Sequence, residues 1–246
     1  MSAEPLIRRF ASLPSTNTAI AADAAALAHG TVYITDDQTA GRGQRGNSWE
    51  AEPGQNLTFS MLLRPRAIAP AQAFAVSMLT SLSIASVLSD WLQMEVLIKW
   101  PNDMYVGDRK LCGILIENAF TASGIEHAII GIGINVNQQR FHSDAPNPVS
   151  MYQLTERTFP LDELLADIAR RILADYEQYA AAPDIEALTA RYRAHQWRGT
   201  GIHRWHDHLR HQDISAAIAH IAPDGTLTLA TTPPRSFAFK QLSPIL

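Results

Sequence analysis

Gly41-Arg42-Gly43-Gln44-Arg45-Gly46-Asn47-Ser48-Trp49 is a glycine-rich segment that carries two guanidinium groups. Lys99-Trp100-Pro101-Asn102-Asp103 and Asp108-Arg109-Lys110-Leu111-Cys112-Gly113 follow it, and they place two lysines eleven residues apart around a tight turn. Such a set suits a site that holds a carboxylate and a phosphate together. Lysine is a compact point charge, whereas arginine is a broad fork of donors. The chain has three lysines, Lys99, Lys110 and Lys240, against seventeen arginines. Lysine at 99 and 110 therefore reads as a chemical requirement. The competing reading is a general preference for arginine that left three lysines by chance.

The segment from Gly41 to Gly46 has the G-x-G-x-x-G spacing of a dinucleotide fingerprint. That fingerprint must open a helix and be followed by an acid about twenty residues on. Here it runs into Asn47-Ser48-Trp49 and then Pro53-Gly54, and the region near residue 64 is Leu-Leu-Arg-Pro-Arg. No Gly-Lys-Ser/Thr follows, so a Walker A loop is excluded as well. What remains is a loop whose amides and arginines can wrap a small anion and close over it. The plain alternative is an ordinary glycine-rich surface loop.

The bulk composition sets the frame. The 246 residues suffice for one large domain, or one large and one small. A hydrophobic content of 46% is ordinary for a chain with a real core. A net charge of −4 gives no basic footprint, so no DNA partner is expected. The single cysteine, Cys112, excludes an internal disulfide and a Cys-rich zinc site, and it reads as a small buried hydrophobe. The first residues lack a signal-peptide core, and no run of eighteen apolar residues marks a membrane span. The default expectation is a soluble cytoplasmic protein.

Patterning predicts strands at Ile7–Phe10, Val32–Thr35, Asn56–Leu63, Val96–Trp100, Cys112–Glu117 and His127–Val136. Ser15 or Thr16 can cap a helix through the alanine-rich stretch to Ala28, with Gly30 as its terminator. Residues 36–56 form a long loop, a length that tends to be functional inside a compact domain. Buried or amphipathic helices are predicted over Pro70–Trp91, Leu161–Tyr179 and Asp184–His195, with a surface loop over 137–150. The tail reads as short strands, Ile202–His206, Ile214–Ile221, Thr226–Ala230 and Ser236–Gln241, with a hairpin turn at Pro223-Asp224-Gly225. Pattern alone thus gives an α/β body with an all-β tail.

Seven features occur in one order: Ser15-Thr16-Asn17, Gln38-x-x-Gly-Arg-Gly, Trp49, Asn56-Leu57, Lys99-Trp100-Pro101-Asn102-Asp103, Lys110-Leu-x-Gly113 and Gly131-Ile-Gly-Ile-Asn135. Together they closely resemble biotin–protein ligase, also called biotin–[acetyl-CoA-carboxylase] ligase. The resemblance is strong over about residues 7–137 and continues weakly into Ala238-Phe239-Lys240. It implies a mixed sheet with helices packed on one face, class II synthetase-like, over 1–196. It also implies an SH3-like β-barrel over 197–246. With only fourteen residues before Ser15, it implies a monofunctional ligase without a DNA-binding domain.

The implied reaction has two steps. Biotin's carboxylate attacks the α-phosphorus of ATP, with Mg²⁺, to give biotinyl-5′-AMP and pyrophosphate. A lysine of a biotin carboxyl-carrier domain, from acetyl-CoA carboxylase or a related carboxylase, then takes the biotinyl group. Bringing two anions together makes electrostatic stabilisation dominant. The resemblance assigns catalysis to Lys110, Arg42, Lys99 and Asp103, with Asp103 near Mg²⁺ or the incoming amine. Biotin falls to Ser15, Thr16, Asn17, Gln38, Arg42, Gly43, Gln44, Lys110 and Gly113. The nucleotide falls to Arg42, Arg45, Trp49, Lys99, Asn102, Gly131, Gly133 and Asn135. The family loop commonly reads Gly-Arg-Gly-Arg; Gln44 stands in the fourth place here, and Arg45 is the candidate substitute for the missing guanidinium.

Simpler readings accompany these roles. Asn17 can be a first-turn helix residue, Trp49 and Trp100 core residues, and Asp103 a turn-fixing acid. His203, His206, His208 and His211 in the tail read as solvated histidines rather than a metal site. A lipoate–protein ligase and a noncatalytic biotin or nucleotide binder are the functional alternatives. A homodimer is compatible with the sequence.

Overall fold

The computed structural model describes residues 4–43, 48–122, 124–142 and 147–245. Its body is a seven-stranded mixed sheet in the order β1-β2-β3-β7-β6-β5-β4. The strands are β1 (Leu6–Leu13), β2 (Thr31–Gln38), β3 (Leu57–Leu63), β4 (Leu97–Lys99), β5 (Asp103–Val106), β6 (Arg109–Thr121) and β7 (Gly124–Ile134). β1 and β2 run parallel, joined by helix α1 (Thr16–Asp23), and all other pairs are antiparallel. β3 is buried at every position, as expected of a central strand that is covered on both faces.

Alternation along the strands sorts the two faces. Val32, Ile34, Phe59, Met61, Leu63, Ile130, Ile132 and Ile134 join one large core with helices α2 (Phe74–Leu92), α4 (Leu161–Ala181) and α5 (Ile185–Ala194). Tyr33, Leu62 and Ile129 point the other way, onto Ile20, Ala24 and Leu27 around α1. The expectation of helices on one face therefore holds for the three long helices, while α1 covers part of the opposite face. The cavity opens on this second face.

α1 starts where Ser15 caps it, accepting from Thr18 N at 3.4 Å. It stops at Asp23 rather than at Ala28, and Gly30 sits in a later turn at φ +84°. α5 is capped by Asp184, which accepts from Ala187 N at 2.9 Å. α2 is long and apolar enough to cross a membrane by length and composition, but most of it is buried between α4, α5 and the sheet. Fully burying one of its leucines contributes about 1.5–3 kcal/mol.

The sequence pattern missed α3 (Met151–Thr155), a short helix opened by a Ser150–Gln153 capping box immediately after the expected 137–150 loop. It also missed β5, because Pro101-Asn102-Asp103 reads as a turn. In the tail, the predicted strand Ile214–Ile221 is two strands, β9 (Gln212–Ala216) and β10 (Ile218–Ile221), which belong to different sheets. With β8 (His203–Asp207), β11 (Leu227–Leu229), β12 (Arg235–Phe237) and β13 (Leu242–Pro244) they form the sheets β13-β8-β9 and β10-β11-β12. These two three-stranded sheets are not hydrogen-bonded into a closed barrel among the described residues, which corrects the expected barrel. The turn at Pro223-Asp224-Gly225 is present, with Gly225 at φ +89°.

Candidate active site

Register brings the key side chains into rows across the sheet. Lys99 pairs with Asp103, Asp103 with Gly113, Gly113 with Gly133, and Gly133 with Thr58. A second row runs Leu115, Gly131, Ser60 and Tyr33. Both rows line the face opposite the main core. The first row, with Leu115 and Gly131 of the second, borders a cavity of about 740 Å³.

Lys110 reaches this face through a break in register. Met104 pairs with Cys112, but Tyr105 pairs with Lys110, so β6 carries Leu111 as an extra residue. Leu111 and Cys112 are then both buried in the core, and Lys110 is released toward the cavity. Bulges of this kind re-aim a side chain beside functional sites. Burial pushes the Cys112 thiol pKa up, so it is an inert core group.

The Asp103 carboxylate stands between the two lysines. Its oxygens lie 2.8 Å from Lys110 Nζ and 3.4 Å from Lys99 Nζ. All three side chains are mostly buried. Burial pulls the Lys110 pKa down, but the charge and hydrogen bond of Asp103 outweigh it, and the net shift is upward. Lys110 is thus held as an ammonium. The Lys99 ammonium also lies 5.2 Å from the Tyr105 ring centroid.

Trp49 forms the floor. Its indole lies so close over β7 that a methyl group at Gly133 would come within 2.6 Å of Trp49 Nε1. A methyl at Gly113 would lie 3.1 Å from Trp49 Cζ3 and 3.3 Å from Lys110 Nζ. The paired glycines therefore make room for the indole and the ammonium. Trp49 Nε1 and Asn135 Oδ1 are buried without a hydrogen-bond partner among the described residues. Both residues line the cavity, so both are free to meet a ligand.

A neutral polar cluster builds the end nearest α1. The Thr16 backbone N–H and hydroxyl donate to Gln38 Oε1 at 2.9 and 3.2 Å. Ser60 Oγ donates to Asn17 Oδ1 at 2.6 Å and stands 2.7 Å from Thr16 Oγ1. Asn17 Nδ2 donates to Glu117 Oε2 at 2.6 Å. Gly131 gives Asn17 its space, since a methyl there would lie 2.9 Å from Asn17 Cγ. Asn17 is therefore more than a first-turn helix residue.

Every described candidate lines this one cavity: Ser15, Thr16, Asn17, Gln38, Arg42, Gly43, Trp49, Lys99, Asn102, Asp103, Lys110, Gly113, Gly131, Gly133 and Asn135. Gln44 and Arg45 lie outside the described residues. Asn102 spends its amide on the Ile114 carbonyl, which ties the β4–β5 turn to β6. Trp100 is a core residue that donates to Gly225 O at 2.9 Å and so fixes the tail against β4. Tail residues Trp205, Lys240 and Leu242 reach the cavity, where sequence pattern gave no hint of them. Ser60 and Glu117 were also missed; the signal for Glu117 was an acid closing the apolar run Ile114-Leu115-Ile116.

A protein-built divalent metal site does not fit. Both Asp103 oxygens face ammonium groups. Among the described residues no group of three His, Cys, Asp or Glu could hold a metal. The tail histidines pair elsewhere: His206 with Asp213 at 2.9 Å, His208 with Ser243 at 2.9 Å and His203 with Thr200 O at 2.7 Å.

Residues 9–135 match the Biotin/lipoate A/B protein ligase family. The bifunctional ligase/repressor BirA of Escherichia coli is 35% identical over 176 residues, covering 70% of this chain and 54% of that protein. This chain thus spans about half the length of that relative. The biotin–[acetyl-CoA-carboxylase] ligase of Paracoccus denitrificans is 32% identical over 191 residues, covering 74% of this chain and 79% of that one. Among solved structures, the biotin protein ligase of Aquifex aeolicus in complex with biotin and ATP superposes with a TM-score of 0.80 at 21% identity, covering 97% of both chains. That likeness carries the fold.

Proposed function

The chain belongs to the biotin/lipoate A/B protein ligase family, and on that premise we propose that it activates biotin with ATP and transfers it to a lysine of a biotin carboxyl-carrier domain. The observation that carries this reading is the Lys99–Asp103–Lys110 set, which shares one cavity with Thr16, Asn17 and Gln38, the first two braced by the buried Ser60. Two anions need cations at their junction. A cyclic urea needs paired acceptors and donors, and Asn17 Oδ1 and Gln38 Nε2 supply one of each.

In the first step a biotin carboxylate oxygen attacks the α-phosphorus, and the bond to pyrophosphate breaks. Lys110 stays protonated and bridges the carboxylate and α-phosphate oxygens as charge moves between them. One such aimed donor is worth about 3–4 kcal/mol of barrier. Lys99 and Arg42 take the phosphates, and Trp49 with Gly133 and Asn135 takes the base and ribose side, while Gly131 gives Asn17 its space at the urea end. ATP enters as its magnesium complex, a substrate whose metal is held by phosphate oxygens.

In the second step the carrier amine attacks the acyl carbon, and AMP leaves with the bonding pair. Asp103 orients that amine once substrate anions occupy the lysines. We divide the chain into a catalytic region, 1–196, and a tail, 197–246, that closes one side of the cavity. We place the reaction in the cytoplasm, with acetyl-CoA carboxylase or a related carboxylase as acceptor. β1 lies at the sheet edge with exposed side chains, the place where a second copy would extend the sheet into a homodimer. The test is mass spectrometry of a carrier domain after incubation with the chain, ATP, Mg²⁺ and either biotin or lipoate. One added biotinyl group supports the reading; a lipoyl group alone, or no addition, refutes it.

A further inference from the structure

Trp197 opens the tail, and the steps above give it no role. It is buried and lines the cavity. Residues 195–197 run beside β4 as a short parallel extension: Ile98 N donates to His195 O at 2.8 Å, and Trp197 N donates to Ile98 O at 2.9 Å. Ile98 pairs with Gln196, so Trp197 falls at the level of Lys99. The indole then makes two separate contacts toward the lysine pair. Its ring meets the Tyr105 ring at 5.0 Å between centroids, and Tyr105 is the ring that lies 5.2 Å from the Lys99 ammonium. The Arg198 guanidinium lies 4.2 Å from the indole centroid, so contacts run unbroken from Arg198 through Trp197 and Tyr105 to Lys99. The second contact is Trp197 Nε1, which donates to Asp108 Oδ1 at 3.1 Å. Asp108 belongs to the turn between β5 and β6, and its carbonyl accepts from Asn147 Nδ2. The Asn147 carbonyl in turn accepts from Lys110 N at 2.8 Å. One indole therefore braces both the ring beside Lys99 and the turn that delivers Lys110.

The geometry points to Trp197 as a positioning residue: through Tyr105 it seats the Lys99 ammonium, and through Asp108 it holds the β5–β6 turn from which Lys110 enters the cavity. The tail and the lysine pair are thus joined at one side chain. The bracing is a property of the folded chain, while its effect on acid activation rests on the ligase reading. The two contacts can be separated experimentally. Trp197→Phe keeps an aromatic ring against Tyr105 and removes only the Nε1–Asp108 bond. Trp197→Leu removes both. Loss of one such bond, or of one aromatic pair, changes an equilibrium by about two- to tenfold.

Because the chain has three lysines, acetylation of the full unliganded protein followed by peptide mass spectrometry reads each one separately. Labelling of Lys99 and Lys110 tracks how often each leaves Asp103, and the exposed Lys240 is the internal reference. Trp197→Phe should quicken Lys110 labelling about two- to tenfold and leave Lys99 unchanged, whereas Trp197→Leu should quicken both. In biotin-dependent pyrophosphate exchange, Trp197→Phe should lower kcat by the same factor and move KM for biotin and ATP less than about twofold, because the bridging ammonium acts in the transition state. Asp108→Ala breaks the bond from the other side, and the double variant should lose no more than either single one. Should a Trp197 variant fail to fold, Asp108→Ala carries the test alone. Unchanged Lys110 labelling in a folded Trp197→Phe or Asp108→Ala variant overturns the bracing. So do equal quickening of Lys99 and Lys110 in Trp197→Phe, additive losses in the double variant, or a raised KM with kcat unchanged. Should the unmutated chain support no exchange, the ligase reading falls and the labelling alone decides the bracing.

Discussion

Gly131→Ala probes the fit between α1 and β7. Gly131 lies outside the left-handed region, so the effect of a methyl group is steric rather than conformational. The added carbon would stand 2.9 Å from Asn17 Cγ and 3.1 Å from Nδ2, where ordinary contact begins at 3.4 Å. Asn17 is buried and must retreat. Retreat strains its bond from Ser60, worth about 1 kcal/mol, and its bond to the charged Glu117, worth about 1.5–3 kcal/mol. Shifting α1 instead costs about 1–3 kcal/mol of overpacking. The first route costs about 2.5–4 kcal/mol and the second about 1–3 kcal/mol, and the cheaper one sets the loss at about 1–3 kcal/mol. If the loss falls on ligand recognition, affinity for biotin drops by roughly 5- to 150-fold. Calorimetric titration with biotin and urea unfolding would divide the loss between binding and stability. A cycle with Asn17→Ala identifies the cause, because Gly131→Ala should be nearly neutral once Asn17 is gone. An equal penalty in both backgrounds, or none in the unmutated one, refutes the reasoning.

Gly133→Ala should expel the Trp49 indole, seen as a red-shifted and more quenchable tryptophan emission, and weaken ATP about tenfold or more, at about 1.4 kcal/mol per decade. Asp103→Asn leaves two mostly buried ammonium groups without a shared counter-charge and should destabilise the fold by about 1–3 kcal/mol in urea titrations. The Lys110 pKa is raised above lysine's ordinary 10.5, so the pair's contribution is complete below that pH and is lost as pH rises through the folded value. Alkaline unfolding curves of Asp103→Asn should lack that loss. His29 behaves in the opposite sense: burial, with help from Arg64 and against Glu177, lowers its pKa, so its contribution is present above pH 6.5 and fades as pH falls below it. His29→Gln should flatten stability between neutral and mildly acidic pH.

Much of the body was legible because its strands and helices carry distinct periods. β3 and β7 read as apolar runs, and α4 as a stripe. The lysines, the loop and the Gly-x-Gly of β7 were visible by type and spacing. Register was not. Nothing in composition reveals that Leu111 is an extra residue, so the turn of Lys110 onto the cavity face could not be foreseen. β5 hid behind a proline turn, and β9 and β10 read as one strand because Ala217 carries no breaker signal. The facing of Glu117 toward Asn17 is a contact across 100 positions, which local pattern cannot encode. Closure of the tail sheets was also beyond periodicity, since it depends on which edges meet.

Biotin-dependent exchange of labelled pyrophosphate into ATP tests the central claim most directly, because it isolates acid activation from acceptor chemistry. The unmutated chain should support exchange with biotin and not with lipoate, and Lys110→Met should abolish it while the chain remains folded. Exchange at an undiminished rate in Lys110→Met, or its absence in the unmutated chain, would contradict the account.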